Sequence, residues 1–308
     1  MRIIIMTSLF LLAVPIAMAG IYKWVDEQGR VHFSDQKPKA ASYEDIESRL
    51  FGRGNVFKST VKDQQSQLLA NLGDKITAGV PQQTDLFFVG FAGDAKQNVF
   101  MKETLYAKNL FDSSFQTSGR SIALINNSQT TAHYLVASNH NLARVLKAVG
   151  EKMDEEDILY LYLTSHGSKE HKLSVDFPPH TVKDFGGHEI RRMLDEAGIK
   201  WRIVVVSACY SGGFIEPLKN DYSVIATAAD AVNTSFGCAD NRDFTFYGEA
   251  LYKRQMSIGV GVLEALDGAR PIIQSMEAQI NVTHSNPQYW LGREARQKLV
   301  TEPRLQGR

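Results

Sequence analysis

Five short runs of almost unbroken apolar residues limit what this chain can fold into. They are Asp85–Gly90 (DLFFVG), Ser121–Ile125 (SIALI), Ile158–Thr164 (ILYLYLT), Arg202–Ser207 (RIVVVS) and Tyr222–Thr227 (YSVIAT). A strand with one wet face alternates apolar and polar residues; runs like these suit strands buried on both faces. Helical patterns separate them, at about 97–112, 136–152, 187–197 and 240–254. Alternating strands and helices imply right-handed crossovers onto a mostly parallel sheet. The predicted fold class is α/β, a three-layer α/β/α sandwich over residues 81–300. Sites in such sheets lie beyond the carboxyl ends of the strands.

Two of those ends carry reactive side chains. ILYLYLT runs into Ser165-His166-Gly167, and RIVVVS runs into Ala208-Cys209-Tyr210-Ser211-Gly212-Gly213. If the two strands are neighbours, His166 and Cys209 face one crevice. A thiol is a poor nucleophile until it loses its proton, and an imidazole can take that proton and pass it to a leaving amine. The backbone N–H groups of Gly167 and Cys209 are the candidate oxyanion donors. Taken singly, a cysteine at a strand end is more often a small buried hydrophobe. Placed together, each after a buried strand and before small residues, the pair points to nucleophilic catalysis.

The segments SHGS (165–168) and SACYSGG (207–213) resemble the two catalytic motifs of the legumain-like cysteine peptidases, within the wider caspase-fold group. The order, His then Cys on adjacent parallel strands, agrees, and the resemblance covers roughly residues 84–255. It implies a sandwich of caspase type and an endopeptidase acting through a thioester acyl-enzyme, without metal or organic cofactor, on protein or peptide substrates. It also implies an orienting role for Asn98, at the end of Gly93-Asp94-Ala95-Lys96-Gln97-Asn98; a helix-capping role is the alternative. Where legumains carry a basic pair two residues after that Asn, this chain has Phe100 and Met101. Where they carry an acid two residues before the Cys, it has Ser207. Ser207 and Glu249 are the expected specificity-pocket positions. Glu249 without a basic partner would favour a cationic or amide side chain. Rival readings are a transpeptidase or ligase on the same site, and an inactive caspase-fold binding protein.

The N-terminal region belongs to another unit. Arg2, the apolar run Ile3–Ile16 and Ala17-Met18-Ala19 read as a signal peptide over 1–19. The run is short of the roughly 20 apolar residues needed to span a bilayer. No later segment is long and apolar enough either, so no membrane span is expected in the mature chain. Residues 20–38 read as a β-hairpin, with its turn at Asp26-Glu27-Gln28-Gly29. Their pattern of Tyr22, Trp24, Asp26, Gly29, Ser34 and Asp35 resembles a small domain of Gram-negative envelope proteins, which implies a periplasmic or secreted protein. Residues 39–80 read as a linker, helical around 43–50 and 60–73. The formal net charge is zero, which gives no electrostatic reason to expect nucleic acid. His166, His171, His180 and His188 lack compact metal-ligand spacing. Cys209 and Cys238 are the only cysteines. In an oxidising compartment a disulfide between them competes with a free Cys209.

Overall fold

The apolar runs become strands because β-branched and aromatic side chains suit a pleated surface covered on both sides. A computed structural model describes residues 22–25, 31–34, 44–45, 61–178 and 182–302. The signal peptide expected at 1–19 and the turn at 26–29 lie outside the described residues. The chain divides into two units, Met1–Asn55 and Val56–Arg308.

In the first unit, β1 (Tyr22–Val25) and β2 (Val31–Ser34) pair antiparallel, with Tyr22 opposite Ser34 and Val25 opposite Val31. These are the strands of the expected hairpin. A third strand, β3 (Glu44–Asp45), pairs with the other edge of β1. The helix expected from residue 43 is therefore corrected here: Glu44 and Asp45 satisfy backbone groups that a two-stranded ribbon leaves open.

The second unit starts earlier than residue 81. Helix α1 (Val61–Ala70) and the residues after it dock on the core through Leu68, Leu69, Leu72 and Ile76. The Gln65 side chain donates to the Thr131 and Tyr134 carbonyls and accepts from Val136 N–H at 2.7 Å. The central sheet comprises β4 (Leu86–Ala92), β5 (Ser121–Ile125), β6 (Ile158–Thr164), β9 (Trp201–Ser207), β10 (Ser223–Thr227) and β11 (Gln288–Leu291). Its order is β11-β10-β9-β6-β4-β5. All pairs are parallel except β10–β11. A small ribbon of β7 (Lys172–Leu173) and β8 (Phe185–Gly186) follows β6.

Side-chain alternation along the strands divides the core in two. Phe87, Val89 and Phe91 of β4, Leu159, Leu161 and Leu163 of β6 and Val204 and Val206 of β9 share one cluster with helices α3 (Asn139–Gly150) and α4 (Gly187–Glu196). On the other face Phe88 and Tyr160 pack at a tilt on Phe111 of α2 (Asn98–Ser114), with ring centroids 4.7 and 4.4 Å away. Tyr162 there meets Tyr252 at 4.8 Å. This is the expected three-layer α/β/α sandwich with a mostly parallel sheet. Leu161, fully buried at the centre of the middle strand pair, measures the packing. Leu161→Ala should cost about 2–5 kcal/mol of unfolding free energy, read from the denaturant midpoint.

Beyond β10 the chain departs from the expected pattern. Thr245 caps a short helix, α6 (Phe246–Gly248), after the four-residue α5 (Ile215–Leu218), by accepting from Gly248 N–H at 3.0 Å. The helix expected from 240 thus begins only there, and it continues as a π-helix over Glu249–Gln255. Helix α7 (Val262–Gln279), β11 and α8 (Arg293–Thr301) complete the unit. The strand among them leaves little mark in the sequence, because QYWL is short and only half-buried.

Candidate active site

Strands β6 and β9 are hydrogen-bonded neighbours, in register from Ile158 opposite Trp201 to Thr164 opposite Ser207. His166 and Cys209 each lie two residues beyond that last pair. Ser165 N–H still donates to the Ser207 carbonyl at 3.2 Å, so the pairing extends toward them. Both residues are half-buried.

Each is set by its loop. The His166 carbonyl accepts from Ser174 N–H at 2.9 Å, and Ser168 N–H donates to the Lys172 carbonyl at 3.0 Å, closing the turn that carries the imidazole. The His166 ring stands edge-on to Phe100, with centroids 5.2 Å apart and planes at 84°. Phe100 and Met101 are both buried. The two positions where legumains carry a basic pair are thus core positions here, and one of them packs on the imidazole. On the other side, Tyr210 takes a left-handed conformation, φ 56°, which turns the chain sharply after Cys209. Two bonds hold that turn: Tyr210 N–H donates to the Asn233 carbonyl at 2.9 Å, and His171 Nδ1 meets the Tyr210 carbonyl at 3.1 Å. A carbonyl only accepts, so Nδ1 of His171 carries the proton.

Two glycines let these loops interlock. A Cβ on Gly167 would overlap the Cys209 carbonyl oxygen, and one on Gly213 would overlap the His171 ring. The backbones of Gly167 and Cys209, the two expected oxyanion donors, therefore stand side by side.

The Cys209 thiol lies 3.5 Å from the Ser235 carbonyl and 3.7 Å from the Ser235 hydroxyl. Both thiols are free. Burial first, and then the nearby Cys209, push the Cys238 thiol above its ordinary value. The loop that carries Cys238 reaches Cys209 through Ser235, three residues before it. Sequence reasoning did not find Ser235, which sits in an irregular loop with no periodicity to mark it.

The remaining expected residues are more scattered. Asn98 opens α2, and its Oδ1 accepts from Asn127 Nδ2 at 2.9 Å. The N-cap residue is Gln97, which makes no side-chain cap bond; just before it, Asp94 Oδ1 accepts from the N–H groups of Lys96 and Gln97 at 2.8 and 3.2 Å. Ser207 is buried, its hydroxyl 3.2 Å from that of Thr245. Glu249 is not the bare carboxylate that was expected. Arg242 binds one oxygen at 2.8 Å, and Arg254 Nε binds the other at 3.0 Å. With two guanidinium partners it offers little uncompensated negative charge to a cationic side chain. Among the described residues no three His, Cys, Asp or Glu side chains converge so as to hold a metal ion; His180 lies outside them. No helix among the described residues is long and apolar enough to cross a membrane.

Residues 138–258 match the model of the Peptidase C13 family. The stretch contains both strand ends and both loops. Residues 8–49 match a Domain of unknown function (DUF4124), a span that covers the expected N-terminal hairpin and also β3. No curated protein matches the chain. Among solved structures, caspase-1 from Spodoptera frugiperda is similar at 10% identity, over 70% of this chain and 94% of that one, with a TM-score of 0.45.

Proposed function

We propose, from the premise that residues 138–258 form a Peptidase C13 family domain, that this chain is an exported cysteine endopeptidase working through Cys209 and His166. The observation that carries the reading is the pairing of β6 with β9, which brings these two residues to the same end of adjacent parallel strands. Cys209 attacks the scissile carbonyl and His166 accepts the thiol proton. The N–H groups of Gly167 and Cys209 hold the oxyanion as it forms. His166 then protonates the departing amine, leaving a thioester on Cys209. Water, deprotonated by His166, hydrolyses the thioester and restores the thiol. Asn98 helps to orient the site by fastening the start of α2, from which Phe100 reaches His166. Ser207 and the Arg-paired Glu249 are assigned to the specificity pocket from the legumain resemblance alone.

Export to the periplasm or beyond rests on the apolar N-terminal run and on the DUF4124 match, a domain of Gram-negative envelope proteins. The test is a cleavage profile of the mature protein on a peptide library, wild type beside Cys209→Ala. Internal cleavage by the wild type alone supports the reading. A library left uncut by both, under reducing conditions that keep both thiols free, sinks it.

A further inference from the structure

Glu103 is fully buried on α2, three residues past Phe100. Its Oε1 accepts from the Tyr162 hydroxyl at 2.7 Å and from the Thr164 hydroxyl. Its Oε2 accepts from both the N–H and the hydroxyl of Thr245, each at 2.9 Å. The single hydroxyl proton of Thr245 is thereby used, so Ser207 is the donor in its 3.2 Å contact with Thr245. A Cβ on Gly248 would overlap Oε2, so Gly248 leaves room for the carboxylate.

Stability alone does not account for this group. Burial pushes its carboxyl above the ordinary range, and the bonds from Thr164, Tyr162 and Thr245 oppose that only in part. An apolar residue of similar volume would avoid the desolvation cost. What the carboxylate does instead is fix a geometry. Thr164 and Ser207 are the last register pair of β6 and β9, and each stands two residues before one member of the His166–Cys209 pair. Glu103 bonds Thr164 directly and reaches Ser207 through Thr245.

We propose that Glu103 is a positioning residue, whose buried carboxylate clamps the ends of β6 and β9 and so holds His166 and Cys209 in reacting geometry. The inference rests on the dyad reading above. The test therefore measures the thiol rather than an unidentified substrate: the rate of Cys209 alkylation by iodoacetamide in a Cys238→Ser background at neutral pH.

His166→Ala reports on the dyad itself and should slow alkylation. Glu103→Ala should slow it on the order of tenfold, since sub-ångström misplacement of reacting groups is costly. Glu103→Gln should recover most of the rate. The Tyr162 and Thr164 hydroxyls can rotate to accept from the amide, while its oxygen keeps the two Thr245 bonds. Thr164→Val removes one donor without opening a large cavity and should slow alkylation severalfold, which covers the case in which Glu103→Ala does not fold. A merely structural role would loosen the fold and leave alkylation unchanged or faster. Unchanged or faster alkylation in folded Glu103→Ala or Thr164→Val, with His166→Ala slow, overturns the inference and leaves the dyad standing. Unchanged alkylation in His166→Ala overturns both.

Discussion

Cys209→Ala should reduce peptide cleavage to the rate without enzyme, and His166→Ala should lower kcat/KM by about 10²–10⁴-fold, the usual worth of a positioned acid–base group. The two act on one proton, so their effects should not add: the double variant should be no slower than Cys209→Ala alone. Neither change should alter the fold, because both residues are half-buried at strand ends rather than packed inside the sheet. The measurement is kcat/KM on a peptide found by the library profile, with circular dichroism to confirm folding. A His166→Ala enzyme within threefold of wild type would remove the imidazole from the mechanism. Retained cleavage in Cys209→Ala would remove the thiol, and a bound partner without turnover would favour the inactive binding reading.

These two residues were legible in the sequence for a physical reason. A strand buried on both faces cannot hide in an alternating pattern, so ILYLYLT and RIVVVS mark their own ends, and the chemistry of such sheets gathers there. Other parts of the site were hidden by geometry that linear spacing does not carry. Glu249 and Arg254 are five residues apart, a separation that does not bring side chains together on an α-helix. They meet because Glu249–Gln255 is π-helical. Arg242 reaches Glu249 from the irregular segment before Thr245, where no period exists to read. Glu103 does leave a signal: with Phe100, Ala107 and Phe111 it lies on one helical stripe, and a carboxylate in the middle of an apolar stripe must find buried donors. The third N-terminal strand is not legible in the sequence because Glu44 and Asp45 are poor strand formers. Their pairing with β1 comes from an open backbone edge, not from side-chain preference.

The loops offer a second large effect, and it separates two glycines that look alike in the sequence. Gly167→Ala should lower kcat/KM by roughly 10²-fold. The added Cβ meets the Cys209 carbonyl oxygen, a backbone atom that no rotamer change can move aside. Relief requires the His166 turn and the Cys209 turn to part. That displaces the imidazole from the thiol and separates the two N–H groups offered to the oxyanion. Gly213→Ala should cost less, within about tenfold, because the obstacle there is the His171 ring, and a side chain can rotate away for the loss of one hydrogen bond. That bond, His171 Nδ1–H to the Tyr210 carbonyl, helps hold the left-handed turn after Cys209, so the effect should still be measurable. Steady-state kinetics of both variants beside Cys209 alkylation rates makes the comparison. Equal losses would mean that the His171 ring is held as rigidly as backbone. A near-silent Gly167→Ala would mean that the two turns need not touch for Cys209 to react.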